Sequence, residues 1–439
     1  MKASFATPTV RAAMRPTPAN TLHAARIAVA GMGFVTPLGH TLAAFDEALF
    51  SGRSAIRAHK LKIGTFDEMT LAIAACDFDD SNARSTSRLP LDRGTAMAIA
   101  AAKDAWAQSG IGEAAGADEA DNGFTLDGER LGVYWGSGMA GSATFDNTAR
   151  GLYAENKRVR PTTVLTTMPN AAAAEIALLF GARGAALTYA CACASSAVAI
   201  GEAMRAIRGG WIDVAIVGGH ESMLTPATLA SWHSMRVTAP PPEGAPETAC
   251  RPFSADRTGF ALGEGAAALV IESEAHARAR GASPSMTLSG YATNCDSVHM
   301  TNPDPGGQGR AMRAALKDAG LRPEDIGYIN AHGTATGAGD AAEAASIHAV
   351  FGDAVPVSST KAIHGHLLGG GGVLEAIVAL RVLACQSLPP NANLQTPDPA
   401  FAIDLVRGSA RAAPGIRHAM SNSFAFGGTN AVLVASHAD

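Results

Sequence analysis

Two cysteines lie two positions apart in the stretch "YACACASS", residues 189–196, where a buried strand is expected to end and a helix to begin. At a helix N-terminus the backbone N–H groups and the macrodipole favour a thiolate and lower the pKa of a thiol. Ser195 and Ser196, which are suited to cap such a helix, follow Cys193 after one residue. Cys191 lies two residues closer to the predicted strand. A cysteine at this junction is predicted to be a nucleophile, and two small core residues are the alternative explanation.

Two histidines lie on glycine-containing turns. His332 in "NAHGTATGAGD" follows a predicted strand, and ligands of α/β proteins favour the carboxyl ends of strands, although a buried structural histidine would give the same pattern. His366 lies in "STKAIHGHLLGGGG", which also contains Lys361 and His364. A metal site on His364 and His366 lacks a clear set of further ligands. A phosphate loop needs Lys and then Ser or Thr after its glycines, and apolar residues stand there instead.

A further glycine turn lies in "SNSFAFGGTN", residues 421–430. The paired glycines after Phe426 predict a tight turn whose backbone amides face a ligand, and an ordinary turn between strands is the alternative. A cysteine at a strand–helix junction, two histidines, a lysine and an amide-rich loop together describe a nucleophile with electrophilic support. This combination predicts acyl transfer through a thioester.

The elements that position these residues alternate between strands and helices. Strands are predicted at the start of the segments 26–39 and 130–141 and over residues 185–190, 214–219, 266–273, 286–292, 326–333, 355–361 and 421–436. Helices are predicted over residues 90–110, 171–184, 195–210, 309–321, 340–351 and 373–384. Such alternation indicates parallel sheets covered by helices. The order repeats loosely on either side of residue 273 without a low-complexity linker, which predicts a duplicated α/β unit around a shared core. The first glycine turn resembles a dinucleotide fingerprint, but Thr36 occupies the third glycine position and disfavours that interpretation.

Composition excludes several classes of function. The chain has 439 residues, 47% of them hydrophobic, and its net charge of −5 argues against a nucleic-acid partner. Six cysteines without a secretory signal indicate reduced thiols, and no apolar run approaches the roughly 20 residues of a membrane span. We therefore expect a cytoplasmic protein without a membrane span. Residues 1–25 have basic residues and no acid, a composition that organellar transit peptides share with short disordered tails, and we expect a tail.

The motifs together resemble the β-ketoacyl-acyl-carrier-protein synthases, and the elongating type most closely. The stretches "ACASSAVAIG", "RPFSADRTGFALGEGA", "NAHGTATGAGD", "TKAIHGHLLG" and "NSFAFGGTN" occur in the family's order from Arg26 to the C-terminus. The resemblance implies the thiolase fold, in which duplicated α/β halves form a five-layered α/β/α/β/α core. It assigns residues 1–25 to a tail, 26–273 to the half with the nucleophile and 274–439 to the half with both catalytic histidines.

The resemblance also implies individual roles. The family's nucleophile lies eight residues before the glycine of an Ile-Gly pair, here Ile200–Gly201, which selects Cys193. Cys191 is then a packing residue or a redox partner of its neighbour. Cys193 would take the acyl group from the carrier's phosphopantetheine arm as a thioester, and no other cofactor is implied. His332 and His366 would then promote decarboxylation of a malonyl-carrier and stabilise the enolate oxygen.

Further residues follow from the same motifs. The resemblance implies an oxyanion site on the Cys193 and Phe426 amides supported by Gly427, a charged pair of Lys361 and Glu343, pantetheine contacts from Thr334 and Thr336, and an acyl-pocket wall at Met139. It predicts no catalytic metal, and it allows a structural monovalent cation near Asn330, Glu375 and Ser421.

The expected activity is the decarboxylative Claisen condensation of malonyl-carrier with an acyl group on Cys193, which elongates a fatty acyl chain. The alternative is a ketosynthase of a dedicated polyketide or aryl-polyene pathway, paired with a chain-length-factor subunit. The expected partners are an acyl carrier protein and either a second copy or a ketosynthase-like subunit. Three related classes differ from this chain. Initiating synthases carry Asn where this chain has His366, and chain-length factors lack the nucleophile that Cys193 supplies. Thiolases use a second catalytic cysteine near the C-terminus, whereas the last cysteine here, Cys385, lies outside any glycine-turn motif.

Three departures from the family pattern concern specificity. Ala425 replaces the first glycine of the usual Gly-Phe-Gly-Gly loop, and His364 stands where small or aliphatic residues are common. The stretch that often carries several basic residues for docking the acidic carrier offers only Arg84, Arg88 and Arg93.

Overall fold

Strands and helices alternate along the part of the chain that the structure, a computed structural model, describes: residues 26–63, 68–86, 88–112 and 126–438. The strands are β1 Ile27–Val35, β2 Arg57–Leu61, β3 Met69–Ala74, β4 Leu131–Gly136, β5 Ala186–Tyr189, β6 Val214–Glu221, β7 Leu262–Gly263, β8 Gly265–Ser273, β9 Met286–Cys295, β10 Tyr328–Asn330, β11 Pro356–Ser358, β12 Ser387–Leu388, β13 Asp404–Leu405, β14 Arg411–Ala412, β15 His418–Phe424 and β16 Thr429–His437. The α-helices are α1 Leu42–Ser51, α2 Arg93–Ser109, α3 Ser142–Glu155, α4 Thr163–Thr167, α5 Ala171–Phe180, α6 Ser195–Arg208, α7 Pro226–Ser234, α8 Glu274–Ala279, α9 Pro305–Ala319, α10 Gly337–Phe351, α11 Lys361–His364 and α12 Gly371–Cys385. The tail assigned to residues 1–25 lies outside the described residues.

The main sheet repeats one strand arrangement twice. Its order is β13-β11-β10-β15-β16-β9-β1-β8-β6-β4-β5, and the same pattern of strand directions is found on either side of the contact between β1 and β9. In the first half, β5, β4 and β6 are parallel, and β8 and β1 are each antiparallel to the preceding strand. In the second half, β11, β10 and β15 are parallel, and β16 and β9 are each antiparallel to the preceding strand. Only two residue pairs join β1 to β9. The two halves are therefore the duplicated α/β units expected from the sequence.

The helices form three layers around the two halves of the sheet. Helices α2 and α5 cover the outer face of the first half, and α9 and α10 cover that of the second. Helices α6 and α12 lie between the halves and contact strands of both. The five-layered α/β/α/β/α thiolase fold is thus confirmed.

Helix α12 is apolar almost all round because both of its faces are buried, whereas α6 has small or apolar residues over its first two turns and carries Glu202, Arg205 and Arg208 further on. The stretch Leu368–Cys385, which includes α12, is long and apolar enough by composition to cross a membrane, but 83% of it is buried inside the fold. Its hydropathy follows from its central place between the sheets. The expectation that no apolar run approaches membrane-spanning length was therefore too strong.

The glycine of the Ile200–Gly201 pair is needed for close packing. A Cβ built on Gly201 would lie 2.2 Å from two ring atoms of Tyr291, a residue of β9. The aromatic ring of one half therefore rests directly on the backbone of α6. This contact explains why the pair on which the cysteine assignment depends contains a glycine.

Gly201→Ala is expected to lower the free energy of unfolding by about 1–3 kcal/mol, because a packed core accommodates an added methyl group only by shifting its neighbours. Gly151 in α3 is the matched control, since its Cβ would meet only the Lys157 side chain at 3.7 Å. Gly151→Ala should be neutral or stabilise by about 0.5–1 kcal/mol. Denaturant unfolding of both variants measures the difference, and equal effects would contradict the packing argument.

Candidate active site

Cys193 lies at the junction that the sequence indicated. It belongs to a 3₁₀ turn, Ala192–Ala194, between β5 and α6, and its side chain is buried. Ala192 adopts a left-handed conformation with φ 48°, which costs energy for a residue with a Cβ. The Cys193 Sγ lies 3.2 Å from His366 Nε2. The thiol is thereby presented to an imidazole at the start of a helix.

Cys191 faces a different part of the core. Cys191 and Tyr189 both pack against the apolar cluster around α6 and α12, between the two halves of the main sheet. Cys193 packs in another cluster, with Phe260 and Leu368. The Cys191 backbone N–H donates to Ser195 Oγ. The two thiols therefore lie in different clusters, which supports the packing role of Cys191 over the redox one.

The two histidines predicted from separate turns come together beside Cys193. Their ring centroids are 5.3 Å apart in an edge-to-face arrangement. His332 follows β10, and its backbone N–H donates to Glu343 Oε1 at 2.8 Å. The backbone of His366 is held on both sides, since its N–H donates to Ala261 and its carbonyl accepts from Gly263.

Hydrogen bonding fixes the tautomer of His366. The Leu368 N–H donates to His366 Nδ1 at 3.3 Å, so the proton of the neutral ring lies on Nε2. Nε2 is therefore a donor directed at the Cys193 sulfur. A second substrate entering the site would meet the same N–H.

Burial keeps both imidazoles neutral. Burial lowers the pKa of His332 well below 6.5, and the cation of Lys361 and the neighbouring His366 act in the same direction. Burial likewise lowers the pKa of His366, with Lys361 and His364 adding to the effect. Both rings can thus donate a hydrogen bond to developing negative charge without first losing a proton.

The expectation of a lowered thiol pKa was wrong. Burial raises the pKa of Cys193 to about 12, although the Lys361 ammonium opposes this shift. Loss of hydration outweighs the favourable helix terminus in the resting site. The resting nucleophile is therefore a neutral thiol, and its proton must leave as the acyl group is transferred.

The expected charged pair of Lys361 with Glu343 is also wrong. The Lys361 ammonium pairs with Glu375 of α12, and both side chains are buried. The Glu343 carboxylate instead accepts from the backbone N–H groups of His332 and Gly333 and from the Asn422 amide. Glu343 thus holds the His332 turn, while Lys361 and Glu375 supply a compensated charge behind the histidines.

The proposed oxyanion donors are available. Within the described part of the chain, neither the Cys193 N–H nor the Phe426 N–H has a hydrogen-bond acceptor on another residue. Phe426 lies on the turn between β15 and β16, and its ring stacks on Trp232 with centroids 6.3 Å apart. Gly427 and Gly428 adopt φ of 85° and 78°, which glycine permits.

A cavity of about 350 Å³ leads to these groups. Its wall includes Cys193, His332, His366, Thr334, Thr336 and Phe426. The hydroxyl oxygens of Thr334 and Thr336 are 2.9 Å apart. Three expected residues lie outside this wall: Lys361, which is fully buried behind it; Gly427, whose N–H donates to the Met300 carbonyl; and Met139, which is 42% exposed. The acyl-pocket role of Met139 stays a prediction.

Two buried carboxylates were not recognised as site residues by the sequence reasoning. Glu221, at the end of β6, accepts from Ser137, Gly138, Met139 and Gly369, and so joins the turn after β4 to the turn after His366. Glu375 was considered only as a cation ligand. A single acid in the apolar run "GGVLEAIVAL" was a usable signal, since a fully buried charge requires a partner.

The cation site allowed by the resemblance has suitable oxygens. Asn330 and Ser421 are register partners on β10 and β15. Asn330 Oδ1 and Ser421 Oγ are buried without a hydrogen-bond partner among the described residues. A monovalent cation would satisfy both oxygens.

Arg93, one of the three arginines in the stretch expected to dock the carrier, is already part of an ion pair. Arg93 makes a bidentate ion pair with the buried Glu264 and also pairs with Asp80. Arg84 and Arg88 are exposed. The basic surface in this region is therefore smaller than the sequence suggested.

Comparison with known proteins agrees with this geometry. Residues 24–277 match the family model "Beta-ketoacyl synthase, N-terminal domain", and residues 286–395 match "Beta-ketoacyl synthase, C-terminal domain". The chain is 36% identical to a 3-oxoacyl-[acyl-carrier-protein] synthase 2 of Vibrio cholerae over 93% of this chain and 98% of that protein.

Solved structures show the same similarity. A β-ketoacyl synthase from Burkholderia phymatum has a TM-score of 0.83 at 32% identity, covering 94% of this chain and all of that one. A ketosynthase of Xenorhabdus doucetiae, solved in complex with its chain length factor, has a TM-score of 0.79 at 27% identity, covering 94% of this chain and 98% of that one.

Proposed function

Since this chain belongs to the β-ketoacyl synthase family of condensing enzymes, we propose that it elongates a carrier-bound acyl chain by decarboxylative Claisen condensation with malonyl-carrier. The observation that carries the proposal is the meeting of Cys193, His332 and His366 at the end of one cavity, with the thiol 3.2 Å from His366 Nε2. The chemistry divides into acylation of the thiol and condensation.

In the first half-reaction the Cys193 sulfur attacks the thioester carbonyl of an acyl-carrier. The carbon–sulfur bond to the pantetheine breaks, the thiol proton is transferred to the departing sulfur, and the acyl group remains on Cys193. The oxygen of the tetrahedral intermediate would lie against the free N–H groups of Cys193 and Phe426. One such donor typically contributes about 3–4 kcal/mol to lowering the barrier.

In the second half-reaction malonyl-carrier occupies the cavity. Its thioester oxygen accepts from the imidazole N–H groups of His332 and His366 as the carboxylate leaves as carbon dioxide. The enolate then attacks the acyl carbonyl and displaces the Cys193 sulfur, which takes up a proton from water and returns to the neutral thiol. Neutral imidazole donors suit this step because negative charge develops on the oxygen only as the carbon–carbon bond of malonate breaks.

Intact-mass measurement tests the proposal. The protein is incubated with a panel of acyl-carriers, and malonyl-carrier is then added. We expect an acyl adduct on the wild-type protein that disappears as carbon dioxide and a 3-oxoacyl-carrier form. An adduct that persists after malonyl-carrier is added, or no adduct with any carrier, would overturn the proposed activity.

The proposed partner is an acyl carrier protein with its phosphopantetheine arm, as the name of the Vibrio cholerae relative suggests. Thr334 and Thr336 on the cavity wall would bind the arm. Arg84 and Arg88 are exposed, and the run from Lys157 to Arg160 between α3 and α4 offers further exposed basic side chains. These cations complement the acidic surface expected of a carrier.

An exposed apolar surface supports a dimer. Among the residues that the structure describes, β5 lies at one end of the main sheet and its outer edge is unpaired, and Leu187 on it is 45% exposed. Neighbouring helices α3, α4 and α5 expose Phe145, Val164, Leu165 and Leu178. Unpaired edges and large apolar patches indicate a protein interface. A second copy or a ketosynthase-like subunit would cover this surface.

The alternative function is condensation in a dedicated polyketide or aryl-polyene pathway. The similarity to a ketosynthase solved with its chain length factor favours it. Co-purification of a homologous subunit that lacks the cysteine would support this pathway, whereas a homodimer active on saturated acyl-carriers supports fatty acid elongation. The six unpaired cysteines accord with the proposed cytoplasmic location.

Ala425→Gly is expected to speed acylation from long-chain carriers more than from short ones. Ala425 lies on the cavity wall at the start of the turn that carries Phe426. A left-handed conformation costs alanine roughly 1–2 kcal/mol more than glycine, so any open form of the turn that needs it is populated about tenfold less. The measurement is the rate of acyl-enzyme formation with short and long chains. Equal changes at all lengths would show that Ala425 does not control entry.

A further inference from the structure

His364 is a fully buried histidine that the proposed mechanism does not use. It ends the single turn of helix α11, which begins at Lys361, and it lies two residues before His366. Burial lowers the pKa of its ring to about 3, and the Lys361 cation acts in the same direction, so the ring is neutral. A buried neutral ring in this position must direct its two nitrogens to suitable partners.

Both ring nitrogens have partners whose chemistry defines the tautomer. Nδ1 lies 2.7 Å from the Gly365 carbonyl oxygen, which only accepts, so Nδ1 carries the proton. Nε2 is then an acceptor, and the Thr360 hydroxyl 2.9 Å away donates to it. His364 thus joins the residue before α11 to the peptide group before His366.

That peptide group controls the position of His366. Gly365 adopts φ 74° and ψ 177°, a conformation that glycine tolerates and other residues avoid. The peptide's carbonyl accepts from His364, and its N–H, which belongs to His366, donates to Ala261 at 2.7 Å. The peptide plane is therefore held from both sides, which fixes where the His366 side chain leaves the backbone.

The same contacts reach the turn that carries His332. Asn330 at the end of β10 donates its amide to Thr360 Oγ1 at 3.5 Å, and the neighbouring Ser359 hydroxyl donates to the Gly333 carbonyl at 2.7 Å. A chain of donors thus runs from Asn330 through Thr360 and His364 to Gly365. It connects the two turns whose histidine rings meet 5.3 Å apart.

We propose that His364 is a positioning residue that sets the placement of His366 relative to His332 for the decarboxylation of malonyl-carrier. The inference rests on the proposed function and deepens it. Decarboxylation needs both imidazole N–H groups on one oxygen, whereas acylation needs chiefly the thiol and the backbone N–H groups. Displacing His366 should therefore slow the second half-reaction more than the first.

Three variants separate the two hydrogen bonds. His364→Ala removes both, His364→Asn retains a donor for the Gly365 carbonyl, and His364→Gln retains an acceptor for the Thr360 hydroxyl. A misplacement of about 1 Å can cost about a hundredfold in rate. We expect His364→Ala to lower kcat for carbon dioxide release by about ten- to a hundredfold, with KM for malonyl-carrier and the acylation rate changed less than about threefold. His364→Asn should recover most of the loss and His364→Gln less.

Thermal unfolding of each variant is measured alongside the rates, and the volume-conserving Asn and Gln variants cover the case in which His364→Ala does not fold. Equal losses in acylation and decarboxylation, or losses in the three variants that follow only their melting temperatures, would overturn the positioning role. Wild-type levels of carbon dioxide release in all folded variants would also overturn it. A wild-type protein that releases no carbon dioxide would instead contradict the proposed function itself.

Discussion

Cys193→Ala is expected to abolish condensation, whereas Cys191→Ala should retain most of it. Cys193 alone of the two directs its sulfur to the histidines, with Sγ 3.2 Å from His366 Nε2 and the cavity leading to it. Cys191 packs in a different cluster, beside Tyr189. Without the Cys193 sulfur no thioester can form, so the loss should reach the detection limit of the assay.

The test combines product formation with intact mass after exposure to an acyl-carrier. We expect an acyl adduct on wild type and on Cys191→Ala, and none on Cys193→Ala. Cys385→Ala serves as a second control because that thiol is exposed on the far end of α12. An inactive Cys191→Ala together with normal turnover by Cys193→Ala would show that the nucleophile was assigned to the wrong cysteine.

The places of Cys193 and His332 in the fold could be predicted because local signals define them, whereas the choice of Cys193 over Cys191 rested on the family resemblance. Cys193 and His332 each follow a short strand, and the strand–turn–helix pattern around them is encoded within about ten residues. The repeat of strands and helices on either side of residue 273 likewise predicted the duplicated sheet. These features depend on neighbours in sequence, which a single chain displays directly.

The partners of the buried charges could not be predicted in the same way. Glu343 and Glu375 both lie on buried helix faces, so the sequence does not distinguish them as partners of Lys361. The packing of α12 between the two halves of the main sheet brings Glu375 to Lys361. Arg93 appears in the sequence as one of three surface arginines, yet it is held by Glu264, which lies 171 residues away. Which carboxylate pairs with which cation depends on contacts between residues far apart in sequence, and a local sequence pattern does not show such contacts.

The thiol pKa illustrates a competition of effects. A helix N-terminus stabilises a thiolate by a modest amount at short range, whereas complete burial removes hydration from the whole charge. Sequence indicated the helix terminus but not the depth of burial. The net result, a raised pKa, therefore required the structure.

Replacing either His332 or His366 by alanine should leave Cys193 able to be acylated. It should slow the decarboxylation of malonyl-carrier by about a hundredfold or more, the usual effect of losing one donor to a developing oxyanion. His366→Ala should slow acylation more than His332→Ala does, because His366 Nε2 contacts the sulfur. His348, exposed on α10, provides the control variant His348→Ala, which should behave as wild type.

The pH dependence of carbon dioxide release distinguishes donor from base. Burial lowers the pKa of both histidines well below 6.5, so both rings stay neutral as the pH falls through the ordinary histidine range. Neutral imidazoles acting as donors therefore predict that neither histidine causes a loss of rate through pH 6.5, whereas an exposed histidine base would lose activity there. The measurement is carbon dioxide release by wild type and by both histidine variants across this range. Unchanged release in both variants would contradict the roles assigned to His332 and His366, and so would a fall near pH 6.5 in wild type that either histidine variant lacks. A fall shared by all three proteins would instead belong to Glu221 and Glu375, because burial raises the pKa of both carboxyls to about 7.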